Sequence, residues 1–320
     1  MDPDDRRLFE RSLRHACESS RGAALDRALD EIGWHQALSM DPSVAVSTLF
    51  EQLGRTNAHA SALDAVLGSG LGLKWSSSVG TVLPALGEWL APGRIVGGAV
   101  VVRGIGTASL ADRTTAWVVA RSGRRHVAVE VATADLTFRS VGGMDPQLGL
   151  VEVAGDGLPV RAQHDLASGE WPRAIALAQL AVAHVLVGAS RAMLELARGH
   201  ALERVQFGQP IAGFQAVRHR LADTLVAIEA ADAAIGSAWD EGSPPAAATA
   251  KALAGRSART AMRHCQQVLA GIGFTVEHPF HRYLRRALVL DALFGTSASL
   301  TASLGTELIE RRQLPPLLPL

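Results

Sequence analysis

The stretch Arg204-Val-Gln-Phe-Gly-Gln-Pro-Ile-Ala-Gly-Phe-Gln215 gathers the side chains of this sequence best suited to holding a ligand. A fixed arginine such as Arg204 presents two parallel N–H donors, the geometry that a pyrophosphate accepts. Phe207 and Phe214 supply flat apolar faces that can lie against an aromatic ring or a ribose. Gln206 and Gln215 carry amides that donate and accept at once. A second stretch, Gln267-Val-Leu-Ala-Gly-Ile-Gly-Phe-Thr-Val-Glu277, adds another amide and two glycines, where backbone can come close to a ligand. In a third, His278-Pro-Phe-His-Arg-Tyr-Leu-Arg-Arg286, the cations Arg282, Arg285 and Arg286 form either a solvated face with a buried ion pair or a partner contact. Taken singly, each of these residues also reads as part of an ordinary connection between helices.

Such side chains need a frame. From about Pro172 the segments 174–202, 214–239, 245–271 and 280–311 are long, Ala- and Leu-rich, and broken at Gly or Pro. Four long helices with short connections make a bundle. Arg204 then ends the first helix, Gly208 and Pro210 break the chain, and Phe214-Gln215 opens the second. Upstream, Ile95–Val102, Ala116–Arg121, His126–Val131 and Leu148–Val153 are rich in β-branched residues and separated by Gly, Asp and Ser, which predicts a small antiparallel sheet or barrel. Residues from Asp5 to about Leu71 read as helical: Leu8, Ser12, His15 and Ala16 share a face, Val44–Leu53 repeats apolar residues until Gly54 stops it, and Thr56–Val66 forms another helix. The fold class is therefore α+β, mostly α. It comprises an N-terminal helical domain (1–90), a small, reduced β domain (91–168), a C-terminal four-helix bundle (169–312) and an irregular Pro/Leu tail (313–320).

Composition narrows the classes. The 31 basic and 31 acidic residues cancel, so no charge excess points to nucleic acid. Aromatic content of 5% leaves Ala, Leu and Val to fill the core. The two cysteines, Cys17 and Cys265, sit in no metal-ligand spacing, so no zinc site is expected, and free thiols fit a reducing cytoplasm. The acidic start Met1-Asp-Pro-Asp-Asp carries no apolar region of a signal peptide. The run Ala174–Ala189 is shorter than the roughly 20 residues needed to span a bilayer and reads as a buried bundle helix, so no membrane is expected.

The strings Arg204–Gln215 and Gln267–Glu277, at their spacing, resemble the two C-terminal signatures of the acyl-CoA dehydrogenase family. The resemblance is strong from about Pro172 to Thr296 and architectural before that. It implies FAD-dependent α,β-dehydrogenation of a CoA thioester. In that family the first signature reaches across an interface to a neighbouring chain's FAD. Carried over, Arg204, Gln206, Phe207, Phe214 and Gln215 would touch that flavin, with Gln267, Val268 and Gly271 beside it. Ala270 stands where the family has glycine. Arg285-Arg286, in place of the family's Arg-Asp, resembles actinobacterial members that act on bulky, steroid-derived CoA esters.

The same resemblance shows what is missing. The family's base-bearing Tyr-Glu-Gly-Thr reads Leu293-Phe294-Gly295-Thr296 here, so the base position is Phe294. The alternative base position of isovaleryl-type members falls at Ala178, with Leu177 and Gln179 beside it. Neither offers a carboxylate to take the α-proton. The family's flavin loop is likewise absent from Pro84-Ala-Leu-Gly-Glu-Trp-Leu-Ala-Pro-Gly-Arg94. The resemblance thus implies a non-catalytic subunit that shares FAD with a homologous chain in a heterodimer or α2β2 assembly, with an electron-transfer flavoprotein or similar acceptor. Two alternatives stand beside it. One is a self-sufficient homo-oligomer using Asp291, or more weakly Glu170, as a displaced base. The other is a flavin-free scaffold or CoA-ester-binding protein.

Overall fold

Five helices open the chain: α1 (Pro3–Ser19), α2 (Ala23–Ile32), α3 (Trp34–Met40), α4 (Pro42–Thr56) and α5 (Ala62–Gly70). The computed structural model describes residues 3–73 and 76–312; the Pro/Leu tail lies outside them. Helix α4 starts where sequence chemistry demands it. Asp41 Oδ1 accepts from Val44 N at 3.2 Å, and Pro42 fills the first turn, where its missing N–H is no loss. Two local expectations need correction. On α1 the buried face is Leu13, Ala16 and Cys17, while Leu8 is 57% exposed and His15 is also in solvent. Gly54 does not stop α4 but lies buried within it, and the stop is Asn57, whose φ of 52° gives a left-handed cap. A Cβ on Gly54 would sit 2.2 Å from Val185 O, and one on Gly188 would sit 2.3 Å from Glu51 O. The two glycines let α4 meet the first bundle helix backbone to backbone.

The sheet comprises β1 (Val79–Thr81), β2 (Gly93–Val96), β3 (Ala99–Gly106), β4 (Thr115–Ser122), β5 (Arg125–Ala132), β6 (Thr137–Ser140), β7 (Val151–Leu158) and β8 (Ala162–Asp165). It runs β6-β7-β3-β2-β4-β5-β8, with β1 also on β4. It begins earlier than the boundary expected near residue 90. It is not purely antiparallel, because β1 and β2 both pair in parallel with β4. The predicted Ile95–Val102 run splits into β2 and β3 around Gly97-Gly98. Val100, Val102, Val118, Val129 and Val131, spaced by two along their strands, close a second apolar core under the sheet.

The bundle consists of α6 (Glu170–Glu203), α7 (Gln215–Glu241), α8 (Pro244–Leu269), and α9 (Phe280–Asp291) followed by α10 (Ser297–Arg311). The fourth predicted helix, 280–311, is therefore two. Helix α6 is long and apolar enough to cross a membrane, yet 89% of its most apolar window is buried inside the protein. It is the central core helix, and Ala174, Ala178, Ala181 and Leu186 pack inside the main cluster. Both cysteines are free and buried.

Arg286 ties the three regions together. It is 2% exposed; its Nε donates to Asp145 Oδ2 of the β domain at 2.6 Å, and its Nη1 to the carbonyls of Asn57 and Ala58 at 2.8 and 2.9 Å. The solvated cationic face thus survives only for its neighbours. The side chain of Arg282 is exposed, and Arg285 Nε donates to Met144 O.

Candidate functional site

The ligand-suited side chains converge on one end of the bundle. Helix α6 runs to that end, α7 leaves it, and α8 returns to it, which sets His264 Nδ1 of α8 3.2 Å from Thr224 Oγ1 of α7. Between α6 and α7 the chain forms a small hairpin, β9 (Val205–Gln206) with β10 (Gln209–Pro210), locked by Ile211 N donating to Arg204 O at 2.8 Å. Its tip is Phe207-Gly208, both at positive φ, 54° and 80°. Glycine adopts this conformation freely; a phenylalanine there is strained. Phe207 is also 92% exposed, with Phe214 edge-on to it at a ring-centroid distance of 6.1 Å. Exposed apolar area and strain both cost free energy that this chain alone does not recover. Around it Arg204, Gln206 and Gln215 are exposed, and among the described residues no protein group bonds the Arg204 guanidinium.

Gln267 and Gly271 lie at the C-terminal end of α8, on an open groove of about 610 Å³ that Gln266, Phe274, Leu284 and Leu288 also line. A Cβ on Gly271 would meet nothing within 4 Å, so the backbone there is bare. Val268 is a correction: at 5% exposure its side chain belongs to the core, and only its backbone could face a ligand. Ala270 caps α8 at φ 51° and ψ −133°, a region that glycine tolerates and alanine does not. Ala270→Gly should therefore stabilise the chain by about 1 kcal/mol, strain relief outweighing the extra unfolded-state entropy. Urea denaturation tests this, and a loss of stability would show that the Cβ is not strained.

The two expected base positions meet in the core. The break between α9 and α10 exposes the Phe294 carbonyl inside the protein, and Gln179 Nε2 on α6 donates to it at 3.0 Å. Phe294 is 2% exposed at φ 55°, and Ala178 is fully buried next to Gln179. The segment 84–94 closes over them. Gly87 N donates to Ala292 O at 2.7 Å, and Trp89 packs against Gly295, where a Cβ would lie 2.8 Å from its ring.

Asp291 is held by several structural partners. Its Oδ2 accepts from Arg259 Nη2 at 2.7 Å and from Ser297 Oγ at 3.2 Å, and its Oδ1 accepts from Ser297 N at 3.1 Å, capping α10. Lys251, fully buried, sits 3.7 Å from Oδ1 and donates to the carbonyls of Asp291 and Gly295 at 3.0 and 3.1 Å. Burial pushes the lysine down to about 8 against the pull of Asp291. Glu170 is used locally, its Oε2 accepting from Ala167 N at 2.7 Å before α6. Sequence reasoning missed Lys251 and Arg259. The one available signal was a lone lysine among alanines, Ala248-Thr-Ala-Lys251-Ala, on a helix with a small-residue face.

Residues 173–309 match the family model "Acyl-CoA dehydrogenase, C-terminal domain". Acyl-CoA dehydrogenase IpdE2 of Mycobacterium tuberculosis is 43% identical over 101 residues, which is 32% of this chain and 32% of that protein. The chain therefore spans about a third of that relative. Two solved structures share the fold along almost the whole length. The ChsE4-ChsE5 complex from Mycobacterium tuberculosis has a TM-score of 0.78 at 19% identity, covering 98% of this chain and 97% of that one. A Tcur3481-Tcur3483 steroid ACAD has a TM-score of 0.76 at 21% identity, with 96% of each chain covered.

Proposed function

From the match of residues 173–309 to the C-terminal domain of acyl-CoA dehydrogenases, we propose that this chain is an acyl-CoA dehydrogenase family member acting as the non-catalytic subunit of a heteromeric dehydrogenase. It completes the FAD site of a homologous chain that supplies the base. The observation that carries the reading is the joint apolar burial of Phe294 and Ala178, with the Phe294 carbonyl already taken by Gln179. A group there cannot take a proton from a substrate α-carbon.

FAD held by the partner would supply the hydride acceptor for the oxidation. What this chain adds is positioning. The exposed guanidinium of Arg204 and the amides of Gln206, Gln215 and Gln267 fit a pyrophosphate and its neighbouring polar edges. Phe207 and Phe214 fit a flat ring, and the bare backbone at Gly271 admits close approach. The strained, exposed Phe207 becomes favourable once covered. The substrate is a bulky, steroid-derived CoA ester, a reading supported by the two fold neighbours, one a steroid enzyme and the other a two-component complex. The acceptor is an electron-transfer flavoprotein or similar carrier.

The chain purified alone should be colourless and inactive on CoA esters; co-expressed with its homologous partner it should co-purify with flavin. Stoichiometric FAD and turnover in the isolated chain would sink the proposal. Within the complex, Arg204→Ala should weaken flavin retention by roughly 1.5–3 kcal/mol, the worth of a lost charge-assisted contact. Arg204→Lys should recover only part, lacking the planar fork. The flavin-to-protein ratio after gel filtration reads both, and an unchanged ratio in Arg204→Ala means that this hairpin faces no cofactor.

A further inference from the structure

Between α2, α3, α5 and the edge of the sheet lies a cavity of about 540 Å³, whose wall includes Asp26, Asp30, Asp64, Arg113 and Trp117. None of the motifs used above lines it. Asp64 is 8% exposed; Thr107 Oγ1 donates to its Oδ2 at 2.8 Å, while Oδ1 is buried without a hydrogen-bond partner. Arg113 Nε is buried and unpartnered too, although its terminal nitrogens reach Ser77 O and, at 3.3 Å, Ser109 Oγ. An unmet acceptor and an unmet donor in one wall are the mark of a missing polar guest, because leaving such groups dry is costly.

The charge of the wall selects among guests. Among the described lining residues, three carboxyl groups face one guanidinium. His35 Nε2 lies 3.0 Å from Asp30 Oδ1, yet burial pushes its imidazole down to about 4, so it adds no positive charge at neutral pH. Asp26 Oδ1 accepts from Ser61 N at 2.7 Å. Leu29, Leu38 and Trp117 provide the apolar side.

We propose that this cavity binds a small amphipathic amino alcohol. Its ammonium donates to Asp64 Oδ1 and answers the excess of carboxylates. Its hydroxyl oxygen accepts from Arg113 Nε–H, and its hydrocarbon part lies on the apolar wall. An anion meets the carboxylates with repulsion, and a neutral diol leaves their charge unanswered.

The site carries its own pH signature. Burial pushes Asp64 up to about 7; the Thr107 hydrogen bond and Arg113 oppose that rise and Asp26 reinforces it. Above that value the carboxylate attracts the ammonium, and below it the proton competes with the guest. Calorimetric titration of the full chain would use three molecules of one skeleton: 2-amino-1-phenylethanol, 1-phenyl-1,2-ethanediol and mandelate. The amine alone should bind, about tenfold more weakly at pH 6 than at pH 8. Asp64→Asn should remove both the binding and its pH dependence. Arg113→Lys, which keeps the charge and deletes Nε, should weaken the amino alcohol but not phenethylamine, which lacks the hydroxyl. Absence of amine binding at millimolar concentration, equal binding of all three molecules, or unchanged affinity in folded Asp64→Asn or in Arg113→Lys would each overturn the proposal.

Discussion

Asp291→Ala should cost about 3–5 kcal/mol of folding stability at pH 7, the usual cost of removing one partner of a buried ion pair. The loss falls mainly on Lys251, which is fully buried and would keep two carbonyl acceptors but no counter-charge. Arg259 suffers less, because its side chain is 53% exposed and water screens it. The deficit should depend on pH, and its sign follows from the lysine. Burial already lowers Lys251 from 10.5 to about 8 in the folded protein. Without Asp291 it falls further, so at pH 7 the folded variant must surrender a proton that the unfolded chain keeps. Near pH 10 folded wild type has lost that proton as well, and the deficit should narrow by roughly 1 kcal/mol. Urea denaturation at the two pH values gives the answer; an equal deficit at both would mean that Lys251 is not the group left stranded. The shape-preserving Asp291→Asn should lose less, and the assembled complex should keep its dehydrogenation rate. A fall of about 10² with the assembly intact would make Asp291 a working acid or base and end the helper-subunit reading.

Phe294→Glu should be nearly as damaging and should create no activity. The ring is 2% exposed and belongs to the main core cluster. Replacing it forfeits burial worth about 3–5 kcal/mol and leaves a carboxyl where the adjacent amide, Gln179, already donates to a backbone oxygen. Trp89 and Gly87 pack over the break between α9 and α10. The check is a denaturation midpoint together with steady-state turnover by the complex using a dye acceptor. A variant of native stability, or one that adds turnover, would mean that the segment 84–94 opens readily and that the vacant half can be rebuilt.

How much of this was legible from residues alone depended on the signal each element carries. The bundle helices were readable because Ala and Leu recur over long spans with Gly or Pro at the joints. The break between α9 and α10 was not, because Ala292-Leu-Phe continues an apolar run and only Gly295 marks it. Strands β6 and β8 escaped because they are exposed and polar, with no alternation to betray them. The strings suited to a ligand were found by their spacing, and the structure sets them at one end of the bundle. What spacing could not say is which members point outward: Val268 turns into the core, while its neighbour Gln267 is exposed. The Lys251–Asp291 pairing, across 40 residues, was invisible for the same reason that most tertiary pairs are: each partner taken alone is an ordinary helical residue.

The reciprocal notch of Gly54 and Gly188 has a mechanical consequence. Each glycine seats against the other helix's main chain, so α4 and α6 are mortised together and neither can slide or roll without driving a carbonyl into the opposing backbone. Helix α4 and the bundle helix α6 should therefore move together. Whatever displacement accompanies docking must be absorbed elsewhere, in the hairpin tip or in the sheet. An alanine at either notch position would pry the joint apart rather than loosen it.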